Sequence, residues 1–112
     1  MNDLLNKNSV KIVSNFLNKF DANISIISLQ NTARSAEEAA KSLKVETGAI
    51  VKSLVFKTIN NEYFLCLVSG DKQVSIDKIY KIFKQNIVKP NADEVKEITG
   101  FSIGGIPPVA HK

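Results

Sequence analysis

One hundred and twelve residues at 12.3 kDa supply one hydrophobic core and not two. An apolar share of 44%, a charged share of 23% and a mean hydropathy of −0.03 are globular values that exclude fibrous and disordered classes. The net charge of +4, with a pI of about 9.2, permits a polyanionic partner without demanding one.

The longest apolar run is Tyr63–Val68, far short of the ~20 residues that cross a bilayer, so no membrane association is expected. Met1 is followed by Asn2 and Asp3 rather than by a basic and then apolar leader, and a cytoplasmic location is expected. One cysteine, Cys66, and one histidine, His111, make neither an internal disulfide nor a zinc site of ordinary ligand spacing. No metal or cofactor is expected.

In chain order, Asn8 or Ser9 can cap a first helix whose Val10, Val13, Leu17 and Phe20 form a stripe for burial. Asp21-Ala22-Asn23 breaks it, and the isoleucine-rich Ile24–Leu29 reads as a strand. Ser35 and Glu38 have capping-box spacing and open a helix to about Leu43. Lys44–Ala49 is a turn around Gly48. Ile50–Thr58 and Glu62–Ser69 are β-rich runs at hairpin spacing, ended by Gly70-Asp71. Ser75 can cap a helix carrying Ile76, Ile79 and Phe83 on one face, and Ile87-Val88 fits a short strand. Asn91 then caps Ala92–Thr99, with Asp93 and Glu94 in the first turn and Gly100 at the C-terminal stop. Phe101–Lys112 is a loop rich in glycine and proline. The order α-β-α-β-β-α-(β)-α-loop is mixed α/β, in one domain spanning 1–112.

Two features suggest chemistry. Lys52 alternates with Leu54 and Phe56 on one face of a strand whose other face is also apolar, so its ammonium starts inside the fold. There it needs an anion or a cleft mouth, or it snorkels to solvent; spacing alone leaves both readings open. The second feature is Gly104-Gly105-Ile106-Pro107-Pro108-Val109-Ala110-His111. Two glycines let a backbone approach a ligand and can aim amides at an oxyanion, while the two prolines fix the backbone on their C-terminal side. A plain connecting loop fits the same residues. Cys66, inside Phe64–Val68, reads as a small core residue. Asp93, Glu94 and Glu97 read as a solvated helix face. No phosphate-binding glycine loop and no nucleophile elbow is present.

Taken together, Thr32-Ala-Arg-Ser-Ala-Glu-Glu-Ala-Ala40, Gly48-Ala-Ile-Val-Lys-Ser-Leu-Val-Phe56, Ser69-Gly-Asp71, Asp93-Glu-Val-Lys-Glu-Ile-Thr-Gly-Phe101 and Gly104–His111 resemble the YbaK/prolyl-tRNA-editing-domain family. These are trans-acting aminoacyl-tRNA deacylases. The resemblance implies a mixed, partly closed β-sheet surrounded by helices. It also implies hydrolysis of the ester joining a small wrong amino acid (alanine, serine, threonine or cysteine) to the tRNA 3′ end. Lys52 matches the family's active-site lysine, and Gly104 and Gly105 match its glycine loop. Ser53, Asp71, Pro107, Pro108 and His111 are the matching substrate-side positions, with His111 orienting rather than acting as a base. The resemblance implies water as the attacking group, so that no protein nucleophile is required. The partners implied are the tRNA acceptor end and an aminoacyl-tRNA synthetase; a second copy of the chain is expected only from sheet edges that missing C-terminal strands would leave unpaired.

Three positions depart from the pattern. Lys44 and Ala110 stand where relatives commonly carry glycine, and Ser75 where many carry aspartate. Relatives also continue past the histidine, so the resemblance implies C-terminal truncation. Two rival expectations arise: a remnant that binds tRNA or a synthetase without turnover, and a generic RNA-binding domain acting through Lys78, Lys81 and Lys84.

Overall fold

The computed structural model describes residues 7–29 and 35–112. The described elements are α1 (Asn8–Phe20), α2 (Ala36–Leu43), a 3-10 turn (Thr47–Ala49), β1 (Val51–Thr58), β2 (Tyr63–Ser69), α3 (Ile76–Phe83), β3 (Ile87–Val88) and α4 (Ala92–Thr99). The fold is mixed α/β, as expected. The first part of the Thr32–Ala40 motif, Thr32–Arg34, lies outside the described residues.

The sheet has the order β2-β1-β3 with both pairings antiparallel. Seven residue pairs, from Val51↔Ser69 to Lys57↔Tyr63, join β1 to β2. The hairpin closes with Asn61 N–H donating to Thr58 O (2.9 Å), and Asn61 sits at φ 63°, a left-handed conformation that asparagine tolerates. On the far side, β3 pairs only with Lys57 and Thr58. The stretch Val51–Phe56 therefore has no strand beyond it on that edge among the described residues.

This register puts Lys52, Leu54, Phe56 and Thr58 on one face, opposite Val68, Cys66 and Phe64. Helix α3 covers that face through an aromatic run. Phe56 lies 6.0 Å from Phe64, and Phe64 stacks on Phe83 at 4.4 Å between ring centroids. Phe56 and Ile79 are buried here, while Val95 of α4 and Phe101 after it are buried elsewhere. The buried Thr99 hydroxyl donates to Val95 O (2.7 Å) and accepts from Phe101 N–H (3.0 Å), so its burial leaves it fully partnered.

Helix α4 starts as its sequence dictates. Asn91 Oδ1 accepts from Glu94 N–H (2.8 Å), and Glu94 Oε1 accepts from Asn91 N–H (3.1 Å). At α2 only half of the expected reciprocal cap forms. Ser35 Oγ accepts from Glu38 N–H (3.1 Å), but the Glu38 carboxylate accepts from the Ser35 hydroxyl (3.3 Å) instead of from a backbone amide.

Two expectations are corrected. Ile24–Leu29 forms no strand: the described residues offer it no ladder, and β-propensity marks a residue suited to a pleated surface rather than a backbone with a partner. Helix α1 has Lys7 at its N-cap with no side-chain cap from Asn8 or Ser9. Its stripe is also not fully buried. Val10, Val13 and Leu17 are half-buried and Phe20 is 80% exposed; a groove of about 240 Å³ lies between Val10 and Val13 of α1 and Phe101 and Gly105–Pro107.

Candidate functional site

The start of β1 carries Lys52, and the turn before the strand fixes where it points. Gly70 N–H donates to Ile50 O (2.6 Å), locking the open end of the hairpin. The chain then passes so close that a Cβ on Gly70 would lie 2.4 Å from Thr47 O and 2.9 Å from Ala36 Cβ. Only glycine fits there. Gly48 has a related role: a Cβ would meet Asp71 Oδ2 at 3.1 Å. The Ser69 hydroxyl lies 2.6 Å from Gly48 O and 2.9 Å from Asp71 Oδ1, which ties the carboxylate to the same corner.

Against this corner the half-buried Lys52 donates from Nζ to Lys72 O (2.7 Å). One of its three ammonium protons is held by the protein, and the others remain for a ligand. Lys52 also stands on the wall between two cavities. One, of about 440 Å³, runs along the open edge of β1 from Lys52 to Phe56 and is closed by Val74, Ile76, Pro90, Ile103 and Ile106, with Gln73 and Lys89 at its polar parts. The other, of about 530 Å³, is polar and is lined by Lys41, Thr47, Asp71 and Lys72 among others. Lys52 is therefore neither in open solvent nor sealed in the core.

The other expected residues divide between these places. Ser53 lines the apolar cavity and Asp71 the polar one, so both share a cavity with Lys52. Gly104 and Gly105 do not line either cavity; their neighbours Ile103 and Ile106 reach the apolar one. Both glycines are exposed, with nothing within 4 Å of an added Cβ, so the room beside them is open to a ligand. Gly105 N–H is already donated to Ser102 O (2.8 Å). That bond commits the Gly105 amide within the loop itself. Pro107 lines the groove beside α1, and Pro108 is exposed. The half-buried His111 holds the loop end: Nε2–H donates to Pro107 O (2.7 Å), and the ring lies 5.9 Å from Phe101. That bond fixes the Nε2–H tautomer and fits an orienting strut.

One cluster is not legible in the sequence. Glu94, expected to be solvated, instead accepts from Lys57 Nζ and from Tyr63 Oη (2.7 Å) across the face of the sheet opposite Lys52. The Lys57 ammonium, then the Tyr63 hydroxyl and the Asn91 amide, hold its carboxyl down at about 2. Strand alternation places Lys57 on that face, but the approach of α4 has no local signal. Burial pushes the Cys66 thiol up, which suits a packing residue rather than a nucleophile. Among the described residues, no group of three or more His, Cys, Asp or Glu side chains is placed to ligate a metal ion. Nor is any helix among them long and apolar enough to cross a membrane.

The aminoacyl-tRNA editing domain family matches residues 30–112, which take in β1, the Asp71 corner and the glycine loop. The chain belongs to this family. It is 28% identical over 102 residues to the YwhH protein of Bacillus subtilis (strain 168), covering 89% of this chain and 64% of that one. It is 38% identical over 74 residues to a proline–tRNA ligase of Lactobacillus johnsonii, covering 65% of this chain and 13% of the ligase. A crystal structure described as that of a candidate trans-editing enzyme for prolyl tRNA synthetase superposes with a TM-score of 0.86 at 34% identity, over 95% of this chain and 68% of that one. The hypothetical protein APE2540 superposes with a TM-score of 0.79 at 28% identity, over 90% and 67%. The chain thus spans about two thirds of the length of YwhH and of these two solved chains.

Proposed function

We propose that this domain hydrolyses mischarged aminoacyl-tRNA, releasing a small amino acid such as alanine, serine, threonine or cysteine from the 3′ adenosine. The observation that carries the reading is Lys52, a cation fixed at the boundary of an apolar and a polar cavity on a domain of the editing family. In this reading the aminoacyl side chain enters the apolar cavity, and the ester lies beside the Lys52 ammonium.

Water attacks the ester carbonyl carbon, and the carbonyl oxygen takes up negative charge. The bond to the ribose oxygen then breaks, the ribose oxygen takes one of the water's two protons, and the amino acid leaves as its carboxylate with the other proton lost to solvent. Lys52 and the Gly104 amide stabilise the oxyanion, which is commonly the largest single contribution in such a reaction. Ser53 and Asp71 bound the substrate, while Pro107, Pro108 and His111 hold the loop in shape. The acceptor end of tRNA is the partner in this reading, and a prolyl-tRNA synthetase is the enzyme whose errors it would correct.

The test is release of labelled amino acid from tRNAs charged with each of the four candidates. Lys52→Ala is expected to lower the rate about a hundredfold or more. A second reading, tRNA binding without turnover, is favoured by the engagement of Gly105 N–H with Ser102 O. It predicts retained RNA binding with no release from any of the four.

A further inference from the structure

The polar cavity holds an asymmetry that ester chemistry alone does not use. Lys41, from the last turn of α2, and Lys72, just after β2, join Lys52 around it, against the carboxylates of Glu37 and Asp71. Among the described residues the only ion pair is Lys57–Glu94, on the other face of the sheet. Among the described residues, none of the three lysines has a carboxylate oxygen within 4.0 Å. Asp71 is drawn toward Ser69 and Gly48. Lys41 and Lys72 are exposed, so their ammonium groups are free to meet an anion at little desolvation cost.

We propose that Lys41 and Lys72 bind the phosphodiester backbone of the single-stranded tRNA 3′ end, and that the polar cavity is its seat. The inference rests on the proposed ester hydrolysis for its orientation, because Lys52 and Gln73 line both cavities. A substrate whose aminoacyl group fills the apolar side, with its ester beside Lys52, has the polar side next to its ribose and phosphates. Lysines suit this task as compact point charges that attract phosphate without reading a base. The Lys78, Lys81 and Lys84 set belongs to α3 and its C-cap and lines neither cavity. It supplies background charge only.

The test is fluorescence anisotropy with an uncharged RNA hairpin ending in an unpaired CCA, titrated at several salt concentrations. The pair Lys41→Ala with Lys72→Ala is expected to weaken binding about tenfold near 0.1 M salt. It should also flatten the slope of log affinity against log salt by about 1.4, two contacts at ~0.7 each. The charge-matched pair Lys78→Ala with Lys81→Ala should change affinity less than about twofold. Lys41→Gln with Lys72→Gln, which keeps the long stems, should behave as the alanine pair does and guards against a folding defect. Equal losses in the two charge-matched pairs would overturn the proposal. So would a Lys41/Lys72 effect that persists on a hairpin lacking the unpaired CCA. Because the probe carries no ester, a protein that passes this test yet releases no amino acid supports the binding inference and contradicts the hydrolase reading.

Discussion

Two single residues show how a family departure becomes a physical liability. Lys44 closes α2 at φ 57°, and Ala110 lies at φ 68° beside His111. Both are left-handed positions, where a Cβ crowds the following carbonyl at a cost of about 1–2 kcal/mol. The family resemblance marks these two sites as commonly glycine, and their backbone explains why. Lys44→Gly and Ala110→Gly are each expected to stabilise the domain by about 1 kcal/mol in urea unfolding, since glycine relieves the crowding and returns only part of the gain as lost chain entropy.

Glu94 makes a second prediction at this scale. Its carboxyl stays ionised in the folded state down to about pH 2, against an ordinary value of 4.5 in the unfolded chain. Below about pH 4.5 the unfolded state therefore binds a proton that the folded state refuses. The stabilisation is complete above that point and is lost as the pH falls toward 2. Melting temperatures of the wild type should drop more between pH 5 and pH 2 than those of Glu94→Gln; parallel curves would show that the Lys57–Glu94–Tyr63 cluster contributes nothing.

At the scale of elements, the site depends on the hairpin's open end more than on the hairpin itself. Gly70 sits against Thr47 O and Ala36, both parts of a neighbouring backbone turn and helix that cannot easily yield. Gly70→Ala should destabilise the domain by about 2–3 kcal/mol, seen as a lower urea midpoint. It should also displace Asp71 and Lys72, and with them the carbonyl that positions Lys52. The cap of α4 is the companion case. Asn91→Ala removes the side-chain half of the reciprocal cap at the helix start and should cost about 1 kcal/mol. Its effect should be partly non-additive with Glu94→Gln, because Glu94 belongs to both the cap and the cross-sheet cluster.

For the whole molecule, legibility in the sequence depends on whether the cause is local. The starts of α2, α3 and α4, the hairpin and the short β3 arise from capping residues, left-handed turn positions and apolar runs, all within a few residues of their effects. Ile24–Leu29 and the stripe of α1 mislead because strand formation and burial need a distant partner that composition does not reveal. The site shows the same division. Lys52 stands out in the sequence as a cation on a two-sided apolar strand. Its anchor on the Lys72 carbonyl, the second cavity beside it and the commitment of Gly105 N–H to Ser102 are contacts that only the folded chain contains.

The central claim is that Lys52 positions an ester between the two cavities, and one measurement addresses it directly. The purified 112-residue chain and its Lys52→Ala variant, both verified as folded by circular dichroism, are incubated with tRNA carrying labelled alanine, serine, threonine or cysteine. Release of at least one amino acid by the wild type is expected, with a loss of about a hundredfold in the variant. Equal rates for the two proteins, or no release by the folded wild type from any of the four, would contradict it.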